Sequence, residues 1–364
     1  LTSSGIYIHI PFCKSLCPYC DFYKIKYNEE LAEKYIEAVV DATASLSVLY
    51  NSSSFDTVYF GGGTPSSIDG DLIVRVLDAL RLNFDISPSS EITVECNPSS
   101  ALEDFIPKVA VAGVNRVSLG LQSAVDLERK SLGRLAGPSR VTSALDICRS
   151  SGIDNISLDL ILGVPGQTLS SLEESLDYCI SSGVPHVSAY MLKLEEGTVF
   201  YKRQDTLDLP PEDTVCSMYD LTCSTLSGAG LNQYEISNFA RPGFESRHNL
   251  KYWNDETYLG IGPGAHSFMN GKRFYYPSDV VGFMRGDMQC IPDGEGGALL
   301  ERVMLGLRLS SGISFLDKDT LEEISSDKTL APFINISNGN LSLTHEGFLV
   351  SNVVISKIIE KIKL

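Results

Sequence analysis

Basic residues are scarce. Only 29 Lys and Arg stand against 46 Asp and Glu in the 364 residues, a formal net charge of −17. That excludes a uniformly basic surface for tracking phosphates, and no nucleic-acid partner is expected. No apolar run approaches the ~20 residues that a transmembrane helix needs. The N-terminus also lacks a basic stretch followed by a long apolar one, so neither a transmembrane segment nor a secretory signal is expected and the cytoplasm is the expected compartment. The nine cysteines are odd in number: three crowd together near the start, whereas Cys96, Cys148, Cys179, Cys216, Cys223 and Cys290 are scattered. Such a pattern is not a disulfide framework. There is no repeat or low-complexity tract, and tryptophan occurs once, as Trp253. With 43% apolar, 9% aromatic and 21% charged residues, the chain can bury one or two full cores.

β-branched and aromatic runs recur at 6–10, 57–60, 91–96, 116–120, 156–161 and 186–192, and helical spacing fills 28–49, 70–82, 101–112, 138–151 and 169–182. The alternation predicts an α/β fold with a near-continuously apolar parallel sheet and helical crossovers, and six such units fit a partial barrel. His9 to Cys20, Gly61-Gly62-Gly63-Thr64-Pro65, Glu95-Cys96-Asn97-Pro98, Gln122-Ser123 and Asp159 fall at or beyond the strand C-termini, where parallel barrels build their sites. After Pro210-Pro211 comes a further helix, and then a Tyr- and Gly-rich region, 233–276, reads as strands that extend the sheet and cover one end. Beyond Pro292-Asp293-Gly294, segments 299–309, 319–324 and 347–362 look helical around a hairpin at Asn338-Gly339-Asn340, which suggests a small α-rich, winged-helix-like domain. From residue 297 on, seven Lys and Arg face eight Asp and Glu, so a structural or lid role is expected there rather than DNA binding. The expected divisions are 1–230 for the barrel, 231–292 for its extension and 293–364 for the C-terminal domain.

The strongest chemical signal is Cys13-Lys14-Ser15-Leu16-Cys17-Pro18-Tyr19-Cys20, a C-x3-C-x2-C spacing. Three thiolates on so short a loop can wrap one metal centre. Structural zinc usually takes four ligands in two separated pairs, whereas a four-iron cluster held by three cysteines leaves one iron open. Zinc, and three buried thiols without metal, remain the alternatives on spacing alone. The glycine run at 61–63 lets backbone approach a ligand closely, and no Gly-Lys-Ser/Thr follows it, so it is not a phosphate loop.

These residues resemble the radical S-adenosylmethionine (SAM) superfamily, whose core is a partial (β/α)6 barrel. The resemblance implies a [4Fe-4S] cluster on Cys13, Cys17 and Cys20 whose open iron chelates SAM. It implies SAM contacts from Gly62, Gly63 and Thr64 and from Glu95, Gln122, Arg134 and Asp159, with Tyr7 and Tyr19 nearby. Carboxylates and an amide suit ribose hydroxyls or an ammonium, and Arg134 suits a carboxylate. His9 would order the cluster loop.

Within the superfamily the chain resembles two related branches, the oxygen-independent coproporphyrinogen III oxidases and the HemW-type haem chaperones. The oxidase has a further Cys two positions after the third cluster Cys, where this sequence has Phe22. The oxidase also has an N-terminal extension, whereas here the first cluster Cys is residue 13. His248-Asn249-Leu250-Lys251-Tyr252-Trp253 matches the chaperone branch's H-N-x-x-Y-W motif. The resemblance therefore implies haem as cargo, held by His248, Asn249, Tyr252 and Trp253, with Arg247 and Lys251 toward the propionates and His266 as the rival iron ligand. Delivery would be to an unidentified acceptor protein, expected among respiratory proteins at a membrane. Oxidative decarboxylation of coproporphyrinogen III is the alternative, and whether SAM is turned over is left open.

Overall fold

Alternation within Ser4–Ile10 (β1) sets the architecture. In the computed structural model, which describes residues 3–50, 53–286 and 289–362, Ile6, Ile8 and Ile10 are fully buried in the main apolar core. Tyr7 and His9, on the opposite face, line a cavity. The same two-residue period recurs in β2 (Ser54–Gly62), β3 (Asp85–Cys96), β4 (Arg116–Gln122), β5 (Asn155–Leu162) and β6 (His186–Met191). In β5, Ile156, Leu158 and Leu160 enter the core, while Ser157 and Asp159 point the other way. The strands are thus not the near-continuous apolar runs expected from the sequence. One face packs on helices and the other is a polar, aromatic lining.

These six strands pair in parallel and in chain order. The crossovers are helices α1 (Glu29–Tyr50), α2 (Gly70–Asn83), α3 (Leu102–Val111), α4 (Pro138–Ser150) and α5 (Leu169–Ser181). Their ends follow local chemistry. Asp69 caps α2 by accepting from the Asp71 amide, Pro138 opens α4 where its missing N–H costs nothing, and Thr168 with Ser171 forms a capping box on α5. The result is an α/β, partial (β/α)6 barrel, its strand C-termini gathered at one rim.

The sheet is extended at both edges. Beyond β6 lie β8 (Asn238–Ala240) and β7 (Asn232–Gln233), both antiparallel. On the far side of β1, β9 (Tyr258–Ile261) adds a seventh parallel strand, followed by antiparallel β10 (His266–Met269), β11 (Lys272–Tyr275) and β12 (Ile291–Glu295), giving twelve strands among the described residues. Without these additions β1 and β6 would present open edges. Helix α6 (Glu212–Gly228) leads from β6 to the added strands, and α7 (Arg247–Trp253) lies between β8 and β9.

The C-terminal segment is α-rich, as expected. Leu299–Gly306 and Lys318–Ser326 are helical, and the hairpin Ile334–Ser337/Asn340–Leu343 turns at Asn338-Gly339, both with positive φ, the geometry that Asn-Gly favours. The last expected helix is two, His345–Leu349 and Ser351–Ile359, separated at Val350. Its buried residues Val303, Ile324, Leu341 and Ile358 belong to the same apolar cluster as the barrel.

Candidate functional site

The chain leaves β1 through Pro11 into a short parallel ladder, Phe12–Cys13 with Ile25–Lys26, and the loop between them carries all three clustered cysteines. Bonds from the Ile25 amide to the Pro11 carbonyl (2.7 Å) and from the Tyr27 amide to the Cys13 carbonyl (2.9 Å) close its base. Lys24 donates to the Cys20 carbonyl (2.6 Å), and the Phe200 amide donates to the Pro18 carbonyl (3.0 Å). A small second core of Leu132, Val164 and Phe200, with Tyr19 against it, supports the loop from outside. Cys13 is buried, Cys17 and Cys20 are half-buried, and all three are free. Burial raises the Cys13 and Cys20 thiols, and the charges of the other cluster cysteines add to it. A cationic centre among them would oppose that penalty. Among the described residues no three His, Cys, Asp or Glu side chains converge tightly enough for one metal ion. Three thiolates on one loop with no fourth beside them suit a four-iron cluster, in which each thiolate binds its own iron and one iron stays open, better than a structural zinc that takes four ligands.

His9 locks this loop to the barrel. Its Nε2 donates to the Tyr23 carbonyl (2.9 Å), so Nδ1 accepts from the Tyr7 hydroxyl (3.1 Å). Burial lowers its pKa to about 4, so the ring is neutral. Gly62 makes room for it: φ is +106°, and a Cβ there would stand 2.4 Å from the His9 ring. The amides of Gly62, Gly63 and Thr64 all donate within the protein, to Glu95 (3.2 Å), the Ile10 carbonyl (2.8 Å) and the Phe12 carbonyl (2.8 Å). What this turn can offer a ligand is therefore carbonyl oxygen, which suits an ammonium.

At the rim, Gly63, Thr64, Glu95, Gln122, Arg134 and Asp159 line one cavity, and Thr64 and Arg134 also line a second of about 220 Å³ that reaches Cys17. Glu95 accepts from the Tyr59 hydroxyl (2.8 Å), and Asp159 from Ser118 (2.9 Å). Desolvation pushes Glu95 up to about 7 and Asp159 up to about 6, with the neighbouring carboxylate contributing at Glu95. Gln122 stands at a bulge in β4, with φ at 60° and its amide oxygen buried without a partner. A non-glycine residue in this conformation with an orphaned acceptor fits a ligand donor. Arg134 reaches the Tyr19 hydroxyl (3.2 Å) and follows the short helix Asp126–Ser131, whose Glu128 accepts from Ser123 and Gln167. Sequence reasoning missed Tyr59 and Ser118. Their place in the strand alternation, two residues before Gly61 and four before Gln122, is the signal that would have found them.

The H-N-x-x-Y-W stretch is helix α7, and it lies inside the barrel. Ser246 caps it, and Glu91 accepts from the amides of Arg247 and His248 (both 3.1 Å) at its N-terminus. His248 and Tyr252 share a face, as the i,i+4 spacing predicts. Both His248 nitrogens are engaged, Nδ1 with the Thr57 hydroxyl and Nε2 with the Tyr252 hydroxyl, each at 2.8 Å. The ring stacks on Tyr59, and burial lowers its pKa to about 3. Asn249 and Tyr252 line the adjoining cavity, but Trp253 does not, and the Arg308 guanidinium lies over it. Arg247 and Lys251 also turn away from the cavity, toward Asp56, which they hold below the usual carboxylate range against the opposing effect of burial.

That cavity, about 500 Å³, lies beside the cluster loop and is walled by Tyr7, Tyr59, Tyr190, Tyr252, Tyr258 and Phe22, with His9, His248 and His266 as its imidazoles.

Residues 7–179 match the radical SAM superfamily. The heme chaperone HemW of Bacillus subtilis is 34% identical, over 96% of this chain and 97% of its own. HemW of Mycobacterium tuberculosis is 32% identical, over 96% of this chain and 93% of its own. Among solved structures, Escherichia coli coproporphyrinogen III oxidase, HemN, superposes with a TM-score of 0.84 at 20% identity, covering 99% of this chain and 89% of that one.

Proposed function

We propose that this chain, which belongs to the radical SAM superfamily and within it to the HemW haem chaperone family, binds haem in the aromatic cavity beside its cluster loop and passes it to an acceptor protein. The observation that carries the proposal is that cavity: its volume is ordinary for a cofactor-sized ligand, and its walls are the flat apolar faces that a porphyrin packs against. Phe22, where the oxidase branch has cysteine, forms part of the wall.

In this proposal Cys13, Cys17 and Cys20 hold a [4Fe-4S] cluster. Gly62, Gly63, Thr64, Glu95, Gln122, Arg134 and Asp159 hold SAM, and Tyr7 and Tyr19 buttress Glu95's side of the cavity and Arg134. Cluster and SAM, when bound, supply one-electron chemistry. The chain's own part is physical. Tyr59 and the Gly62 amide aim the Glu95 carboxylate, Tyr19 aims the Arg134 guanidinium, and the second core around Phe200 keeps water from the loop's outer side. The C-terminal segment, 293–364, serves as a support packed on the barrel edge. The compartment is the cytoplasm, with an acceptor at a membrane; among the described residues no helix is long and apolar enough to cross one.

The test is anaerobic reconstitution with iron and sulfide, then incubation with SAM and coproporphyrinogen III. A brown, SAM-binding protein that yields no protoporphyrinogen fits the chaperone. Formation of protoporphyrinogen with SAM consumption would make the chain an oxidase and refute the proposal.

A further inference from the structure

Three imidazoles face the aromatic cavity, and they differ in what their nitrogens are doing. Those of His9 are taken by Tyr7 and the Tyr23 carbonyl, and those of His248 by Thr57 and Tyr252. Among the described residues His266 has no such bonds. Its side chain is 58% exposed at the cavity mouth, and its nearest polar neighbour is Asp293, 3.9 Å from Nδ1. A metal ligand needs a free lone pair. Of the three rings, only His266 offers one without first breaking buried hydrogen bonds.

The surroundings of His266 are those of a held ligand. Its ring stacks on Tyr275 at 4.9 Å, and the strand pairing of the two residues fixes its direction. Asp293 lies on the Nδ1 side at 3.9 Å, near enough for its carboxylate to close on that nitrogen once the ring binds a metal. Upstream, Gly264 also lines the cavity and packs close to Tyr23, tying this wall to the exit of the cluster loop. Among the described residues no Lys or Arg lines the cavity, whereas Asp21 and Glu95 do, so the acidic edge of a porphyrin would be left toward water at the open mouth.

We propose that His266, and not His248, supplies the iron ligand to haem bound in this cavity, with His248 a buried positioning residue that holds Tyr252 and Tyr59 as the wall. The proposal rests on the haem-binding reading above and specifies its ligand.

Haem titrated into the chain, followed by Soret absorbance and resonance Raman, tests it. The unsubstituted chain should show imidazole-ligated haem. His266→Ala should lose that signature and bind roughly tenfold more weakly or worse, and added imidazole should restore the signature in His266→Gly. His248→Gln is measured alongside. An unchanged spectrum and affinity in His266→Ala overturns the assignment, as does loss of the signature in His248→Gln alone. Failure of the unsubstituted chain to bind haem is a different result, and it overturns the haem reading itself.

Discussion

Replacing Glu95 with Gln should make the cofactor-free chain more stable above neutral pH while weakening its hold on SAM. Glu95 is pushed up to about 7 from the 4.5 of an ordinary glutamate, chiefly by desolvation, and Tyr59 and the Gly62 amide offset only part of that. Between about pH 4.5 and 7 the native chain keeps a proton that the unfolded chain has released. The native state therefore binds more protons in that window, and stability falls as pH rises through it, staying low above about pH 7. The shift corresponds to about 3 kcal/mol, an upper figure because the carboxylate edge faces the cavity. For a chain of 364 residues one kcal/mol moves Tm by roughly 1.3 °C, so the substitution should raise Tm at pH 8 by roughly 1–4 °C and change little at pH 4.5. Differential scanning fluorimetry of both proteins across pH 4.5–8.5, with and without SAM, reads the effect. A Gln variant no more stable than the parent at pH 8, or a parent whose stability rises from pH 5 to 7 while the variant's does not, would refute the reasoning.

The cluster assignment predicts that Cys13→Ala, Cys17→Ala and Cys20→Ala each lose the brown absorbance after reconstitution, whereas Cys96→Ala, outside the loop, keeps it. Gly62→Ala combines an unfavourable φ with collision against His9 and should destabilise by roughly 2–4 kcal/mol, while Gly166→Ala, at φ +76° with open space around it, should cost about 1 kcal/mol; equal melting shifts in the two variants would remove the steric argument. Arg134→Leu should weaken SAM binding by roughly tenfold or more in an equilibrium titration, and Tyr19→Phe, which keeps the ring against Phe200 but removes the hydroxyl partner, should weaken it by less.

The barrel was legible because its signals are local. Each expected strand and crossover helix lies within a few residues of its place, since hydrophobic period, Pro138 and the Thr168 cap act over a handful of positions. The rim residues other than Arg134 were legible for the same reason, as Glu95, Gln122 and Asp159 stand toward the C-terminal ends of strands and Gly63 and Thr64 follow one. What escaped depends on distant chain segments. Nothing near Tyr258 says that it pairs with Gly5, and nothing near His248 says that Thr57, 191 residues away, takes its Nδ1. Arg247 and Lys251 read as ligand-facing cations because their partner Asp56 lies on another strand. The positive φ of Gln122 comes from a register shift between β4 and β5, which no property of Gln122 itself announces.

Equilibrium titration of haem into the anaerobically reconstituted chain tests the central claim most directly. Saturable binding of about one haem per chain, with the cluster retained and a ligated-iron spectrum, is the result the chaperone account predicts. Non-saturating, additive absorbance indistinguishable from haem mixed with an unrelated acidic protein would contradict it.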